Sequence, residues 1–145
     1  MEDIYIGTPN AKQDEFLRCK KKYVAFGGAR GGGKSWAVRC KAKLLAQRYP
    51  GIRMLLVRRT MPEIEANHLE TLRLELAGTA VYRAEERRFV FGNGSVLQFG
   101  YCACDRDADR YQGAEYDVIF FDEATQLKEQ WMRKLAACVR GVNGV

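Results

Sequence analysis

Residues 23–36 read YVAFGGARGGGKSW, and within them Gly28 to Ser35 satisfy G-x-x-x-x-G-K-[ST], the spacing of a phosphate-binding loop. The apolar lead Tyr23 to Gly27 predicts a short buried strand, and the residues from Lys34 onward predict a helix. The glycines therefore fall between a strand and a helix N-terminus, where bare backbone N–H groups and the positive dipole end can surround a polyphosphate. Gly28, Ala29, Arg30, Gly31, Gly32, Gly33, Lys34, Ser35 and Trp36 are the expected nucleotide-binding residues. Among them, Lys34 is expected to reach the β- and γ-phosphates and the Ser35 hydroxyl to hold Mg²⁺. A chance glycine turn would need neither the serine after the lysine nor the strand before the turn.

A second stretch, DVIFFDEATQ at 117–126, completes the chemistry. Four apolar residues, Val118 to Phe121, predict a buried strand that delivers Asp122 and Glu123 to its C-terminal tip. This is the Walker B pattern with an added glutamate: Asp122 is expected to serve the Mg²⁺ and Glu123 to polarise an attacking water. The glutamate favours an ATPase that turns hydrolysis into motion over a small-molecule phosphoryl transferase.

Around these two sites the chain reads as alternating α and β elements. Thr8-Pro9 predicts a helix start, with a helix to about Lys20 that carries Gln13. Gln13 is either an exposed helical residue or a reader of the adenine edge, which a glutamine can meet with one donor and one acceptor. Lys34 to Gln47 predicts a helix with Trp36, Ala37, Cys40, Leu44 and Leu45 toward a sheet, and Ile52 to Val57 a strand covered on both faces. Arg58, Arg59 and Thr60 follow at the sheet edge where ligands bind in open α/β sheets. Glu63 to Leu76 predicts a helix with Ile64, Leu69, Leu72 and Leu76 inward, and His68 on it is expected to be a surface or packing residue. Ala80 to Tyr101 predicts an inserted β-hairpin turning at Asn93-Gly94, with a second turn near Glu85-Glu86. Lys128 to Val139 predicts a closing helix.

Composition sets looser bounds. The 145 residues suit one domain with a real core, and 47% hydrophobic with 29% charged residues is ordinary for a globular chain. A formal net charge of +6 is compatible with a polyanionic partner. The basic clusters at Arg18 to Lys22, Arg58-Arg59 and Arg87-Arg88 are each expected to be solvated faces. Five cysteines show no zinc-site spacing and are expected to be free thiols in a reducing cytosol, Cys102 and Cys104 on one face of a strand. No apolar run is long enough for a membrane span, and no signal-peptide pattern is present.

In this order, Gln13, GGARGGGKS, LLVRRT at Leu55 to Thr60, the hairpin, RYQGAEYD at Arg110 to Asp117 and VIFFDEATQL at Val118 to Leu127 resemble the N-terminal ATPase of the large terminase subunit of tailed bacteriophages and prophages. The resemblance covers nearly the whole chain. It implies an α/β P-loop NTPase of the additional-strand, RecA-like class, with a mostly parallel sheet flanked by helices. It also implies ATP and Mg²⁺ as cofactors, and a motor that packages double-stranded DNA into a procapsid in the host bacterial cytoplasm. The expected partners are DNA, the portal, the small terminase subunit and further copies in a ring, with no membrane. Gln13 matches the adenine-recognition glutamine, and Arg30 the loop arginine offered as a γ-phosphate sensor. Arg110 is an expected trans-acting arginine finger, with a salt bridge to Asp105, Asp107 or Asp109 as the alternative. Residues 1–145 read as one ATPase domain, apparently truncated before the coupling motif and the C-terminal nuclease domain, so no nuclease activity is expected. A RecA-like helicase or DNA-dependent ATPase uses the same residue set, and a nucleotide-binding assembly module with little turnover is the other alternative.

Overall fold

The structure is a computed structural model that describes residues 23–26, 34–123 and 126–139, with side chains from residue 36 onward. Its elements are β1 (Tyr23–Phe26), α1 (Lys34–Arg48), β2 (Arg53–Arg58), a composite helix α2, β3 (Ala80–Arg83), β4 (Arg88–Phe91), β5 (Val96–Tyr101), α3 (Asp105–Asp109), β6 (Val118–Asp122) and α4 (Glu129–Ala136). Helix α2 comprises an α-helical turn (Met61–Ile64), a π-helical segment (Glu65–Leu69) and a second α-helical segment (Glu70–Glu75).

One six-stranded sheet, in the order β1-β6-β2-β5-β4-β3, organises the chain. β1, β6, β2 and β5 pair in parallel, whereas β5, β4 and β3 pair antiparallel, so the α/β class is as expected and the sheet is mixed. The hairpin is not a separate insertion. Its last strand, β5, joins β2 in parallel register, Arg53 to Arg58 against Val96 to Tyr101, and so extends the main sheet. No additional strand stands between β1 and β6 among the described residues; the two are hydrogen bonded directly.

The uninterrupted apolar runs of β2 and β6 follow from cover on both faces. Met54, Leu56, Val118 and Phe120 point into one core with α1, α2 and the hairpin phenylalanines. Leu55, Val57, Ile119 and Phe121 point into the other, with Ala108 of α3 and Trp131 and Leu135 of α4. α1 meets the first core through Val38, Ala42 and Ala46, spaced one helical turn apart, with Ala37. Small side chains let the helix approach the sheet closely. The expected inward face was therefore misplaced at Leu44, which is half-buried, whereas Lys43 is buried and ion-paired to Glu75 of α2. The Cys102/Cys104 expectation also fails: β5 ends at Tyr101, and Cys102 is buried while Cys104 is exposed.

The turn at Asn93-Gly94-Ser95 also closes α1. Gly94 has φ +87°, the left-handed backbone such a turn requires. Asn93 Nδ2 and Ser95 Oγ donate to the Ala46 carbonyl at 2.8 and 2.9 Å. Ser95 Oγ also reaches the Tyr49 carbonyl at 3.1 Å. Carbonyls that a helix end would leave unpaired are thus satisfied from the hairpin.

Candidate nucleotide site at the carboxyl edge of the sheet

Parallel pairing places Phe26, the last residue of β1, in register with Asp122, the last of β6. The strand that enters the glycine loop and the strand that presents the acidic pair therefore end side by side. On the other flank β2 runs parallel to β6, Val57 against Phe121, and ends one residue later at Arg58.

Asp122 is almost wholly buried, with 1% of its surface exposed. Its Oδ2 accepts from Arg58 Nη1 at 3.3 Å and from His68 Nε2 at 2.6 Å. Arg58 is itself buried, and its Nε lies 3.6 Å from a Glu63 carboxylate oxygen on α2. Behind His68, Arg39 Nη1 lies 3.5 Å from the imidazole Nδ1 and donates to the Asn67 carbonyl at 2.6 Å. Burial pushes the His68 imidazole below its ordinary pKa, against the opposing pull of its bond to Asp122. Arg39, which only donates, faces Nδ1, the place for the bare nitrogen of a neutral ring. Since a carboxylate only accepts, the hydrogen sits on Nε2, and Nδ1 is left as an acceptor toward Arg39.

Glu123 follows in left-handed backbone, φ 55°, and is half-buried. Its carbonyl accepts the Gln126 N–H at 2.9 Å, closing a tight turn after the strand. A non-glycine residue held there costs on the order of 1–3 kcal/mol, a strain that clusters at active sites and ligand clamps.

Lys34 and Ser35 open α1 as expected, and Trp36 packs its half-buried ring against the first core. Gln13, Gly28, Ala29, Arg30, Gly31, Gly32 and Gly33, the helix expected before Lys20 and the basic cluster Arg18 to Lys22 lie outside the described residues. Arg110 is exposed at the end of α3, ion-paired to Asp107, with its guanidinium carbon 4.7 Å from the centre of the Tyr101 ring. Of the two alternatives raised for it, the salt bridge is the one formed within the chain. The neighbouring motif residues shape the chain after α3. Tyr111 Oη donates to the Tyr101 carbonyl at 3.3 Å, and Gly113 holds φ +86°.

Two expectations at the site are corrected. His68 is 0% exposed and has a carboxylate partner, so it is not a surface residue. Arg58 is not a solvated basic residue but the buried counter-charge of Asp122; Arg59 beside it is exposed, in a cleft of about 600 Å³ with Gln126, Lys128 and Trp131. A signal for His68 exists in the sequence: the apolar residues Ile64 and Leu69 are five apart, the spacing of a π turn rather than an α turn.

The residues present fit a magnesium nucleotide by their chemistry. Asp122 is a hard oxygen donor, and only its Oδ2 is taken by Arg58 and His68. Among the described residues no three His, Cys, Asp or Glu side chains gather as a cation cage.

No curated protein matches the sequence. Among solved structures, the large terminase of a thermophilic bacteriophage is similar with a TM-score of 0.72 at 16% identity, over 90% of this chain and 36% of that one. This chain thus spans about a third of that protein, and the likeness establishes the shared fold. The family model described as terminase large subunit, T4likevirus-type, N-terminal, matches residues 25–138. From the strand before the glycine loop to the end of the closing helix, the chain belongs to the family of terminase large subunit N-terminal domains.

Proposed function

We propose that this chain is the ATP-hydrolysing part of a phage DNA-packaging terminase, driving double-stranded DNA into a procapsid. The observation that carries the reading is the pairing of β1 with β6, which brings the glycine-loop strand and the Asp122-Glu123 tip to one edge of the sheet. The strained backbone at Glu123 supports it.

In this reading the glycines from Gly28 to Gly33 wrap the phosphates, with Lys34 on the β- and γ-phosphates and Gln13 on the adenine. Ser35 and Asp122 hold Mg²⁺, which when bound neutralises charge on the phosphates. Glu123 accepts the proton of the attacking water, and Arg30 senses the γ-phosphate. Arg110 leaves Asp107 to act on a neighbouring subunit, in a ring built at the portal with the small terminase subunit.

Calorimetry with Mg·ATP tests the binding. The wild-type chain is expected to give a heat that Lys34→Ala removes; no such heat from folded protein overturns the proposal. Steady-state turnover, with and without duplex DNA, tests the rest. Glu123→Gln is expected to bind nucleotide with hydrolysis lowered at least about 100-fold. Binding without turnover in the wild type would assign the chain to assembly rather than to a motor.

A further inference from the structure

We propose that His68 is a positioning residue for Asp122: presented by the π turn of α2, it holds Oδ2 so that the carboxylate keeps the orientation that serves the metal. The inference rests on the nucleotide reading above and adds to it a residue that neither the loop nor the acidic tip contains.

Three observations carry it. First, the contact is short and buried: His68 Nε2 to Asp122 Oδ2 is 2.6 Å, and the two side chains are 0% and 2% exposed. Second, both side-chain donors, His68 and Arg58, converge on Oδ2 and neither bonds Oδ1. The rotation of the carboxylate is thereby fixed, with no hydrogen bond to Oδ1 among the described residues. Third, the backbone departs from α-helical form at this point. The π segment Glu65–Leu69 buries His68 and Leu69 on the same side as Ile64 and Leu72, while Glu65, Ala66 and Asn67 stay exposed. In an α-helix His68, four residues after Ile64, already shares its face; the extra residue of the π turn brings Leu69 onto that face beside the imidazole.

The direction of the hydrogen bonds follows from the groups. Arg39 only donates, so it faces the Nδ1 acceptor of His68, and the Nε2 hydrogen goes to Asp122. Arg39 also donates to the Asn67 carbonyl, which ties the π segment to α1, the helix that begins at Lys34. The imidazole therefore sits in a chain of contacts from the helix behind the glycine loop to the acid at the strand tip. Outer partners of this kind orient metal-binding carboxylates and raise their affinity for the ion.

The test uses the 145-residue chain with a non-hydrolysable ATP analogue and Mn²⁺ in place of Mg²⁺. By electron paramagnetic resonance, His68→Leu is expected to weaken Mn²⁺ binding about 10-fold or more. Analogue affinity without metal should stay within about two-fold, and His68→Gln, which keeps an N–H donor, should restore most of the loss. A folded His68→Leu with wild-type Mn²⁺ affinity overturns the proposal.

The sequence contains one histidine, so its ring nitrogen resonances are unambiguous in the unmutated chain. Adding Mg²⁺ to the analogue-bound wild type is expected to shift the Nε2 signal, and an unmoved signal overturns the proposal even if His68→Leu does not fold. Failure of the wild type to bind Mg·nucleotide at all overturns the function proposed above as well. Normal binding with an unmoved histidine signal removes the role of His68 alone.

Discussion

Glu123 is held in a conformation that works against the fold. Its φ of 55° is a backbone region that favours glycine, and the residue is half-buried. Glu123→Gly is therefore expected to raise the unfolding free energy by about 1 kcal/mol in chemical denaturation. A loss of stability would show that the side chain supports the fold instead. The acids of this tip were legible from DVIFFDEATQ because a buried strand ending in carboxylates is a local pattern. Their partners were less so. Arg58 and His68 lie far from Asp122 in sequence, and only the parallel register of β2 with β6 and the fold-back of α2 bring them to it.

At the scale of elements, the turn after β4 and the end of α1 form one unit. Ser95 is 0% exposed and its hydroxyl reaches the carbonyls of Ala46 in α1 and of Tyr49 just beyond it, so Ser95→Ala is expected to lower stability by about 1–2 kcal/mol in urea titration, with the slope unchanged. Tyr111, two residues past the end of α3, lies against Gly100 of β5. A methyl group at Gly100 would collide with Tyr111 Oη and press on Leu55, both part of or against the second core. Gly100→Ala is thus expected to cost about 1–3 kcal/mol, and Tyr111→Ala in the same chain to relieve part of that loss. Asn93-Gly94 was legible as a hairpin because turn chemistry is local. What was not legible was that β5 pairs with β2, since the hairpin residues alone do not state which strand lies beyond them.

At the scale of the whole molecule, the second core carries ionisable groups that burial keeps neutral. Burial pushes the Cys102 thiol from 9.0 to about 11, and Tyr111 is raised from 10.0 for the same first cause. A group whose pKa is raised by folding leaves stability intact below its unfolded value and erodes it as pH climbs toward the folded one. The melting temperature is therefore expected to fall between about pH 9 and 11, and Cys102→Ala to flatten that fall. A melting temperature unchanged across that window would place the thiol in contact with water. The α/β class itself was legible from the alternation of strand-length apolar runs with helical patterns. The mixed character of the sheet was not, because it depends on β5 returning to β2.

The strand order has a further outcome for how the chain comes to be built. Residues 53–101 hold four strands, β2 to β5, whose mutual pairing needs nothing from β1 or β6. β1 instead pairs with β6, Tyr23 against Ile119. Closing so long a loop is entropically slow, so the centre of the sheet should acquire hydrogen-exchange protection before Tyr23 to Phe26 does. The edge at which Phe26 and Asp122 end side by side would then be the last part of the sheet to form.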